Sequence, residues 1–156
     1  MKGIVIFDTS HGNTKAVAEA ITMTLEETGI EAEAIFVKDT KKLDTKRYDF
    51  LVLGSPTKFG TMSFTVKGFL GKVKSKEWMN KPFAAFDTEN PENIERKEGS
   101  ATEKIAEKLK EKQMKQLLPV LKAVVLGMKG PLQEGEIERA KEYARRITIE
   151  LKGGKV

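Results

Sequence analysis

The chain has 156 residues, a net formal charge of +5 and 39% hydrophobic residues, which is typical of one ordinary domain with a heavily charged surface. It contains no cysteine and a single histidine, which excludes disulfides, thiol catalysis, cysteine–zinc sites and multi-histidine metal sites. No apolar run is long enough to cross a membrane, and the first residues lack a secretory cleavage pattern. We therefore expect a cytoplasmic protein that binds neither a metal nor a membrane.

Short apolar runs alternate with amphipathic segments along the chain, and each run predicts a β-strand. These runs cover residues 3–7, 32–37, 50–54, 82–86 and 120–126. Helices are predicted where apolar residues recur every three or four positions. These segments cover residues 14–28, 61–73, 100–114 and 135–151. The alternation is typical of a doubly wound parallel sheet in a three-layer α/β/α domain, which we expect over residues 1–152, with a flexible tail over 153–156.

The composition of each run predicts its place in the sheet. The runs over residues 3–7 and 50–54 are almost wholly apolar, as expected of central strands covered on both faces. The run over 32–37 alternates with glutamate, and the run over 120–126 follows Pro119, so both are predicted at edges. Residues 87–99 are polar and predict an irregular loop after the fourth strand, where this architecture places ligands.

The most informative segment lies between the first strand and its helix and reads TSHGNT, residues 9–14. Free backbone N–H groups and the helix dipole favour an anion at such a helix start. Gly12 would let the backbone approach a phosphate closely. The alternative is an ordinary helix cap, in which Asn13 or Thr14 satisfies the free N–H groups. The segment is neither a P-loop nor a dinucleotide fingerprint, because it lacks a Gly-Lys-Ser/Thr sequence and a second glycine.

The stretch FDTSHGNT, residues 7–14, resembles the phosphate-binding loop of the flavodoxin family, usually T/S-x-T-G-x-T. His11 stands where threonine is commoner, and this loop is more similar to the flavodoxin domains of flavodiiron proteins. The resemblance runs over essentially the whole chain and implies a five-stranded parallel sheet in the order 2-1-3-4-5, with FMN as cofactor. It also implies a set of phosphate-binding residues, namely Thr9, Ser10, His11, Gly12, Asn13 and Thr14.

A second loop follows the third strand and reads GSPTKFGTM, residues 54–62. Its first residues resemble the flavodiiron-type loop, and PTKFGTM resembles PTRFGNM of the Trp-repressor-binding-protein type of quinone reductase. By that match the isoalloxazine ring of FMN would be lined by Pro56, Thr57, Lys58, Phe59 and Gly60. Two alternatives remain open, in which Phe59 packs into the protein and Lys58 is simply solvated.

The segment after the fourth strand departs from the family pattern. Residues 87–99 lack the tyrosine that flavodoxins usually stack on the flavin, so Phe59 or Ile94 would have to supply that contact. Asp87, Thr88 and Glu89 align with flavin-contacting positions. This loop would bind FMN weakly, leave the ring open to a substrate, or belong to a domain that has lost flavin binding.

Basic residues are concentrated in two segments. Residues 38–48 hold five basic and two acidic side chains, and residues 67–81 hold five lysines and one glutamate. No nucleic-acid-binding motif accompanies them, so we expect no nucleic-acid partner. Flavodoxins are commonly acidic, so a net charge of +5 suggests redox partner proteins with an acidic docking surface. The chain would act as a monomer or a homodimer.

Three functions follow from these features. The first is an FMN-binding electron-transfer protein, a small redox carrier in which the flavin supplies the chemistry. The second is an FMN-dependent NAD(P)H:quinone oxidoreductase, although the chain lacks the added length usual in that group. The third is a flavin-free domain used for interaction or regulation. The coverage of the resemblance favours the electron carrier.

Overall fold

The computed structural model describes residues 1–96 and 99–154. Its strands are β1 Lys2–Phe7, β2 Glu31–Phe36, β3 Phe50–Pro56, β4 Pro82–Glu89, β5 Lys115–Gln116 and β6 Leu121–Val124. Its helices are α1 Asn13–Glu27, α2 Phe64–Lys72, α3 Ser75–Trp78, α4 Pro91–Arg96, α5 Ala101–Glu111 and α6 Glu136–Leu151. The four predicted helices are all present, and α3 and α4 are additional short ones.

All strand pairs in the sheet are parallel, and the order is β2-β1-β3-β4-β5, with β6 also paired with β4. The predicted α/β class and the order 2-1-3-4-5 are therefore confirmed. β2 lies at one edge, as its alternating sequence indicates, and β1 and β3 are central. This arrangement brings the carboxyl ends of β1, β3 and β4 to one edge of the sheet, where the ligand-binding crevice of such folds lies.

The core has two parts, one on each face of the sheet, because successive side chains of a strand point to opposite faces. Val5 and Phe7 pack in the cluster that includes residues of α1 and α6, whereas Ile4 and Ile6 pack in the cluster that includes residues of α2 and α5. The runs over 3–7 and 50–54 are apolar throughout because both of their faces are covered. The result is the predicted three-layer domain.

The fifth strand is divided into two pieces, which the sequence did not predict. β5 pairs with Pro82 and Phe83, and β6 pairs with the second half of β4, from Phe86 to Glu89. Pro119 lies between the two pieces and has no N–H to donate, so it interrupts the ladder. The Tyr143 hydroxyl of α6 lies in this gap and donates to the carbonyl oxygens of Ala85 (3.1 Å) and Pro119 (2.9 Å).

Removing the Tyr143 hydroxyl should destabilise the fold. We expect Tyr143→Phe to lower the free energy of unfolding by about 1–2 kcal/mol, because the buried Ala85 carbonyl and the partly buried Pro119 carbonyl lose a donor. Tyr48→Phe is the matched control, since the Tyr48 hydroxyl donates to the partly exposed carboxylate of Glu33, which water can still solvate. Urea unfolding of both variants measures the difference, and equal losses would contradict this role for Tyr143.

The predicted irregular loop over residues 87–99 is wrong in its first part. β4 continues through Asp87, Thr88 and Glu89, and Pro91–Arg96 forms α4. The polar residues form a strand because β3 and β6 pair with them on both sides. Tertiary pairing therefore outweighs their low strand propensity. Residues 97–98 lie outside the described part of the chain.

The last helix ends at two glycines that were predicted to begin a flexible tail. The N–H groups of Gly153 and Gly154 donate to the carbonyl oxygens of Glu150 (3.1 Å) and Ile149 (2.9 Å). Residues 155–156, the rest of that predicted tail, lie outside the described residues. Throughout residues 1–96 and 99–154, no helix combines the length and apolar character that membrane crossing requires.

Candidate functional site

A cavity of about 380 Å³ opens at the carboxyl edge of the sheet, in the size range of small-molecule sites. Most of the predicted site residues line it, namely Thr9, Ser10, His11, Asn13, Thr14, Pro56, Thr57, Lys58, Phe59, Thr88 and Glu89. Gly12, Gly60 and Asp87 do not. Gly12 precedes α1, Gly60 is buried in a turn, and Asp87 is fully buried behind the cavity.

The first loop presents a helix start without a side-chain cap. Gly12 is the N-cap residue of α1 with a φ of 89°, and no side chain among the described residues caps the helix. Asn13 Nδ2 instead donates to the Lys129 carbonyl (3.2 Å), and the Thr14 hydroxyl bonds the Thr88 hydroxyl (2.8 Å). The helix-cap interpretation of Asn13 and Thr14 is therefore wrong. The N–H groups of the first helical turn are left for an external acceptor.

A buried carboxylate holds this first loop in place. Asp8 follows β1, and its two oxygens accept hydrogen bonds from the Thr9 N–H (2.9 Å) and from the Thr65 hydroxyl of α2 (2.8 Å). The Gly12 N–H donates to the Thr9 hydroxyl oxygen (2.8 Å), which closes the turn. Asp8 was not among the predicted site residues. Its position directly after a buried strand was the available signal.

The second loop is a tight turn that carries an exposed aromatic ring. Lys58 and Thr61 exchange backbone hydrogen bonds of 3.0 and 3.1 Å, and Phe59 (φ 53°) and Gly60 (φ 74°) form the centre of the turn. A positive φ at two central residues is the pattern of a type I′ turn. The Phe59 side chain is fully exposed, so the alternative that it packs into the protein is wrong.

The two loops are joined by Lys58. Its ammonium group is exposed and donates to the Ser10 hydroxyl oxygen at 3.1 Å. This contact holds a positive charge beside the start of α1, where the hydroxyls of Thr9 and Ser10 also lie. Together with the helix dipole, this charge makes that end of the cavity attractive to an anion.

The inner side of the cavity is organised around Asp87. Asp87 Oδ2 accepts hydrogen bonds from the Thr57 hydroxyl (2.9 Å) and the Thr102 N–H (3.3 Å), and Thr57 Oγ1 accepts one from the Ala101 N–H (2.9 Å). Burial, followed by hydrogen bonding to Glu89, raises the pKa of Asp87 well above its usual range. These bonds attach the second loop and β4 to the start of α5.

Five residues that line the cavity were not predicted. They are Asn90, Asn93, Val125, Gly127 and Met128. The last three follow β6 at the same edge of the sheet, and the sequence GMKGP over residues 127–131 is a recognisable turn signal at that position. Met128 is 91% exposed at the cavity, whereas Ile94, proposed as a ring contact, lies beside a second, smaller cavity.

The lining of the cavity fits a ligand with an anionic end and a flat apolar end. The anionic end would meet the uncapped start of α1, the hydroxyls of the first loop and Lys58. The apolar end would meet Phe59 and Met128, whose side chains have no other contact that would bury them. Within the described residues, no group of three acidic or histidine side chains is placed to hold a metal ion.

A parallel sheet of this order, with its cavity beyond the carboxyl ends of the strands, defines a doubly wound α/β ligand-binding protein. The family model described as "Flavodoxin domain" matches residues 4–128. The chain belongs to the flavodoxin family.

Individual relatives agree with this membership. A flavodoxin from Aquifex aeolicus (strain VF5) is 38% identical over 80 residues, which are 49% of this chain and 42% of that protein, less than half of its length. A solved flavodoxin from the domain Archaea is similar with a TM-score of 0.81 and 26% identity, over 97% of this chain and 99% of that one. The rubredoxin oxygen:oxidoreductase of Desulfovibrio gigas shares the fold, with a TM-score of 0.76 and 17% identity over 98% of this chain and 36% of that one.

Proposed function

We propose that this protein binds FMN in the cavity and carries electrons between redox partner proteins. The observation that supports this most directly is the pairing of an uncapped helix start with an exposed aromatic turn on one cavity. FMN has a phosphate at one end and an isoalloxazine ring at the other, and that ring supplies the electron-transfer chemistry. We place the carrier in the cytoplasm, because a chain without cysteine is suited to reducing conditions.

We assign the phosphate to the first loop and the ring to the second. The N–H groups after Gly12 and the side chains of the first loop would bind the phosphate, through Thr9, Ser10, His11, Asn13 and Thr14. Pro56, Thr57, Phe59 and Gly60 would position the ring, with Met128 beside it. Lys58 lies between the two loops and would offset the phosphate charge. Thr88 and Glu89 would form the inner side of the site, with Asp87 behind them.

An FMN titration of the apo-protein, followed by quenching of flavin fluorescence, tests this proposal. We expect saturable binding of one FMN with a micromolar or lower dissociation constant. Riboflavin is the matched probe, because it has the same ring without the phosphate. It should bind at least about 100-fold more weakly, since charge-assisted hydrogen bonds to the phosphate are lost. If FMN does not bind, the protein would instead be a flavin-free domain used for interaction or regulation.

A kinetic assay separates the carrier from the quinone reductase. The FMN-loaded protein is mixed with NADH or NADPH and a soluble quinone, with no other protein present. We expect negligible turnover, because a carrier receives electrons from a partner protein. Sustained nicotinamide oxidation under these conditions would make the protein a quinone oxidoreductase instead.

The two basic segments lie together on one side of the molecule. α2 contacts the 3-10 turn Val37–Asp39, and α3 contacts the 3-10 turn Thr45–Arg47. The Thr45 hydroxyl donates to Glu77 Oε2 (2.9 Å), which ties the segments to each other. We call this surface the basic face. It consists of Lys38, Lys41, Lys42, Lys46, Arg47, Lys67, Lys72, Lys74, Lys76 and Lys81.

The basic face supports the proposal of an acidic partner. Among the residues that the structure describes, none of its ten basic side chains forms an ion pair. One end of the face lies near the cavity, because α2 starts directly after the second loop. Phe64 at that start is 88% exposed, and the Lys67 ammonium lies over its ring at 5.8 Å. An acidic protein docked here would lie beside the FMN site.

Reversing two charges of the basic face should slow electron transfer to an anionic acceptor. We expect Lys67→Glu with Lys72→Glu to lower the rate at which reduced protein is oxidised by ferricyanide about tenfold at low ionic strength, because attraction becomes repulsion. The matched control is Lys110→Glu with Lys112→Glu, which changes the net charge equally at the far end of α5. Stopped-flow measurement of both double variants tests whether the rate depends on the basic face or on net charge alone. Equal slowing of the two would contradict a role for the basic face.

A further inference from the structure

Asp87 and Glu89 form a buried carboxyl pair at the inner side of the cavity. The two residues are separated by one position on β4, so their side chains lie on the same face of the sheet. Asp87 is 0% exposed and Glu89 is 2% exposed. Glu89 also lines both the main cavity and the smaller one beside it. The pair therefore lies between the cavity and the core.

One oxygen of each carboxyl group is satisfied and the other is not. Asp87 Oδ2 accepts from Thr57 and Thr102, and Glu89 Oε1 accepts from the Asn93 side-chain amide (3.2 Å). Asp87 Oδ1 and Glu89 Oε2 are buried and have no hydrogen-bond donor among the described residues. Two neighbouring buried carboxylates that each lack a donor at one oxygen are costly, and a proton between them removes one charge and supplies the missing hydrogen bond.

Among the side chains that the structure describes, the charged groups that face the pair do not neutralise it. Lys122 of β6 is the register partner of Asp87, but its ammonium group is paired with Glu103 of α5. That ion pair is the first cause of the raised pKa of Lys122, and the charges of Glu89 and Asp87 are lesser causes. From α4 the pair meets the neutral Asn93, and from the second loop it meets the neutral Thr57. One lysine is thus shared among three carboxyl groups.

We propose that Asp87 and Glu89 share one proton at neutral pH and that this proton favours binding of a phosphate-bearing ligand in the cavity. The second half of this inference rests on the proposed function, because it takes FMN as the ligand. With the proton, the pair carries one negative charge instead of two on the side of a site that receives an anion. Loss of the proton would place a second negative charge there. Asp87 and Glu89 therefore influence ligand binding through the net charge of the pair.

The sign of the pH dependence follows from the direction of the shift. The pKa of Asp87 in the folded protein is raised, chiefly by burial and then by Glu89. Such a group stabilises the fold at low pH, and this contribution is lost as the pH rises through the folded pKa. The melting temperature of the apo-protein should therefore decline as the pH rises from the ordinary carboxyl range to the raised pKa of Asp87, and level off above it. Asp87→Asn, which keeps a donor toward Glu89 permanently, should not show this decline.

The first test uses the apo-protein and needs no flavin. Carbon-13 NMR follows the side-chain carboxyl carbons of Asp87 and Glu89 from pH 5 to 9, and we expect the pair to retain one proton above pH 7. Between those limits the melting temperature of Asp87→Asn should gain at least about 5 °C relative to the native chain. Glu89→Gln should show a similar gain, and it serves if Asp87→Asn does not fold. Glu107→Gln, an exposed acid on α5, is the control that should show none.

Three results would overturn the shared proton. One is titration of both carboxyl carbons in the ordinary acidic range. Another is a melting-temperature difference between variant and native chain that does not change with pH. A third is a rise in the melting temperature of the native chain with added calcium that Asp87→Asn lacks. A cation would then occupy the place of the proton, held by the two carboxylates and by the Thr102 hydroxyl, which has no hydrogen-bond partner among the described residues.

The second test measures FMN affinity above pH 7, where the phosphate no longer titrates. Affinity of the native protein should fall by up to about tenfold per pH unit as one proton is lost, and Asp87→Asn should remove the fall. A pH-independent affinity in the native protein would overturn the link between the proton and the ligand. If FMN does not bind at any pH, the proposed function fails, while the NMR and melting data still decide whether the proton is shared.

Discussion

Gly12→Ala should weaken FMN binding by about 100-fold or more, because the new methyl group stands where the phosphate must approach the first turn of α1. Gly12 has a φ of 89°, and a Cβ added there meets no protein atom within 4 Å. The loss of affinity would therefore come from the ligand side of the loop. A fluorescence titration with FMN measures it directly.

The chain contains a matched control for this substitution. Gly135 is the N-cap of α6 with φ 90° and ψ −10°, nearly the same backbone conformation as Gly12 with φ 89° and ψ −5°. A Cβ on Gly135 also meets nothing within 4 Å. Both alanine variants should lose about 1–2 kcal/mol of unfolding free energy from the left-handed backbone. Only Gly12→Ala should lose FMN, and similar affinities in the two variants would count against the phosphate site.

Phe59→Asn should stabilise the apo-protein and weaken its binding of FMN. A phenylalanine at φ 53° is strained, whereas asparagine tolerates the left-handed region well. Because the ring is fully exposed, its removal costs no packing. We expect a gain of about 1 kcal/mol in the free energy of unfolding and a loss of about tenfold in FMN affinity, as a stacking partner disappears.

A gain in the free energy of unfolding together with a loss of FMN affinity would identify Phe59 as a residue that favours binding at a cost in stability. Phe64→Ala is the control, because Phe64 is also an exposed ring but does not line the cavity. It should change stability by no more than about 0.5 kcal/mol and leave FMN affinity unaltered. Urea unfolding of the apo-proteins and FMN titration supply both measurements. A Phe59→Asn protein that is less stable and binds FMN normally would contradict this role.

Much of the fold was predictable because local sequence and tertiary structure agree. The helices that become α1 and α6 show apolar residues at helical spacing, and Gly29 follows the first of them with the positive φ of a helix end. β1 and β3 are apolar throughout because both faces are buried. The class follows from this alternation, and the strand order follows from the resemblance to flavodoxins that the two loop motifs carry.

Other features depended on neighbours distant in the sequence. Asp87 and Glu89 are polar and were assigned to a loop, yet pairing with β3 and β6 makes them part of a strand. The same pairing buries them and raises the pKa of Asp87. No local pattern could show that two acids two positions apart would both be buried without enough donors.

By itself, the sequence determined the class of fold, the strand order through its resemblance to flavodoxins, and most residues around the cavity, because hydrophobic period and loop motifs are local properties. Only the tertiary structure decided the exposure of Phe59, the division of the fifth strand and the junction of the basic segments. It also decided the place of Met128 in the site. Segments that are remote along the chain and meet only after folding set the burial, the charge and the hydrogen-bond partners at these positions.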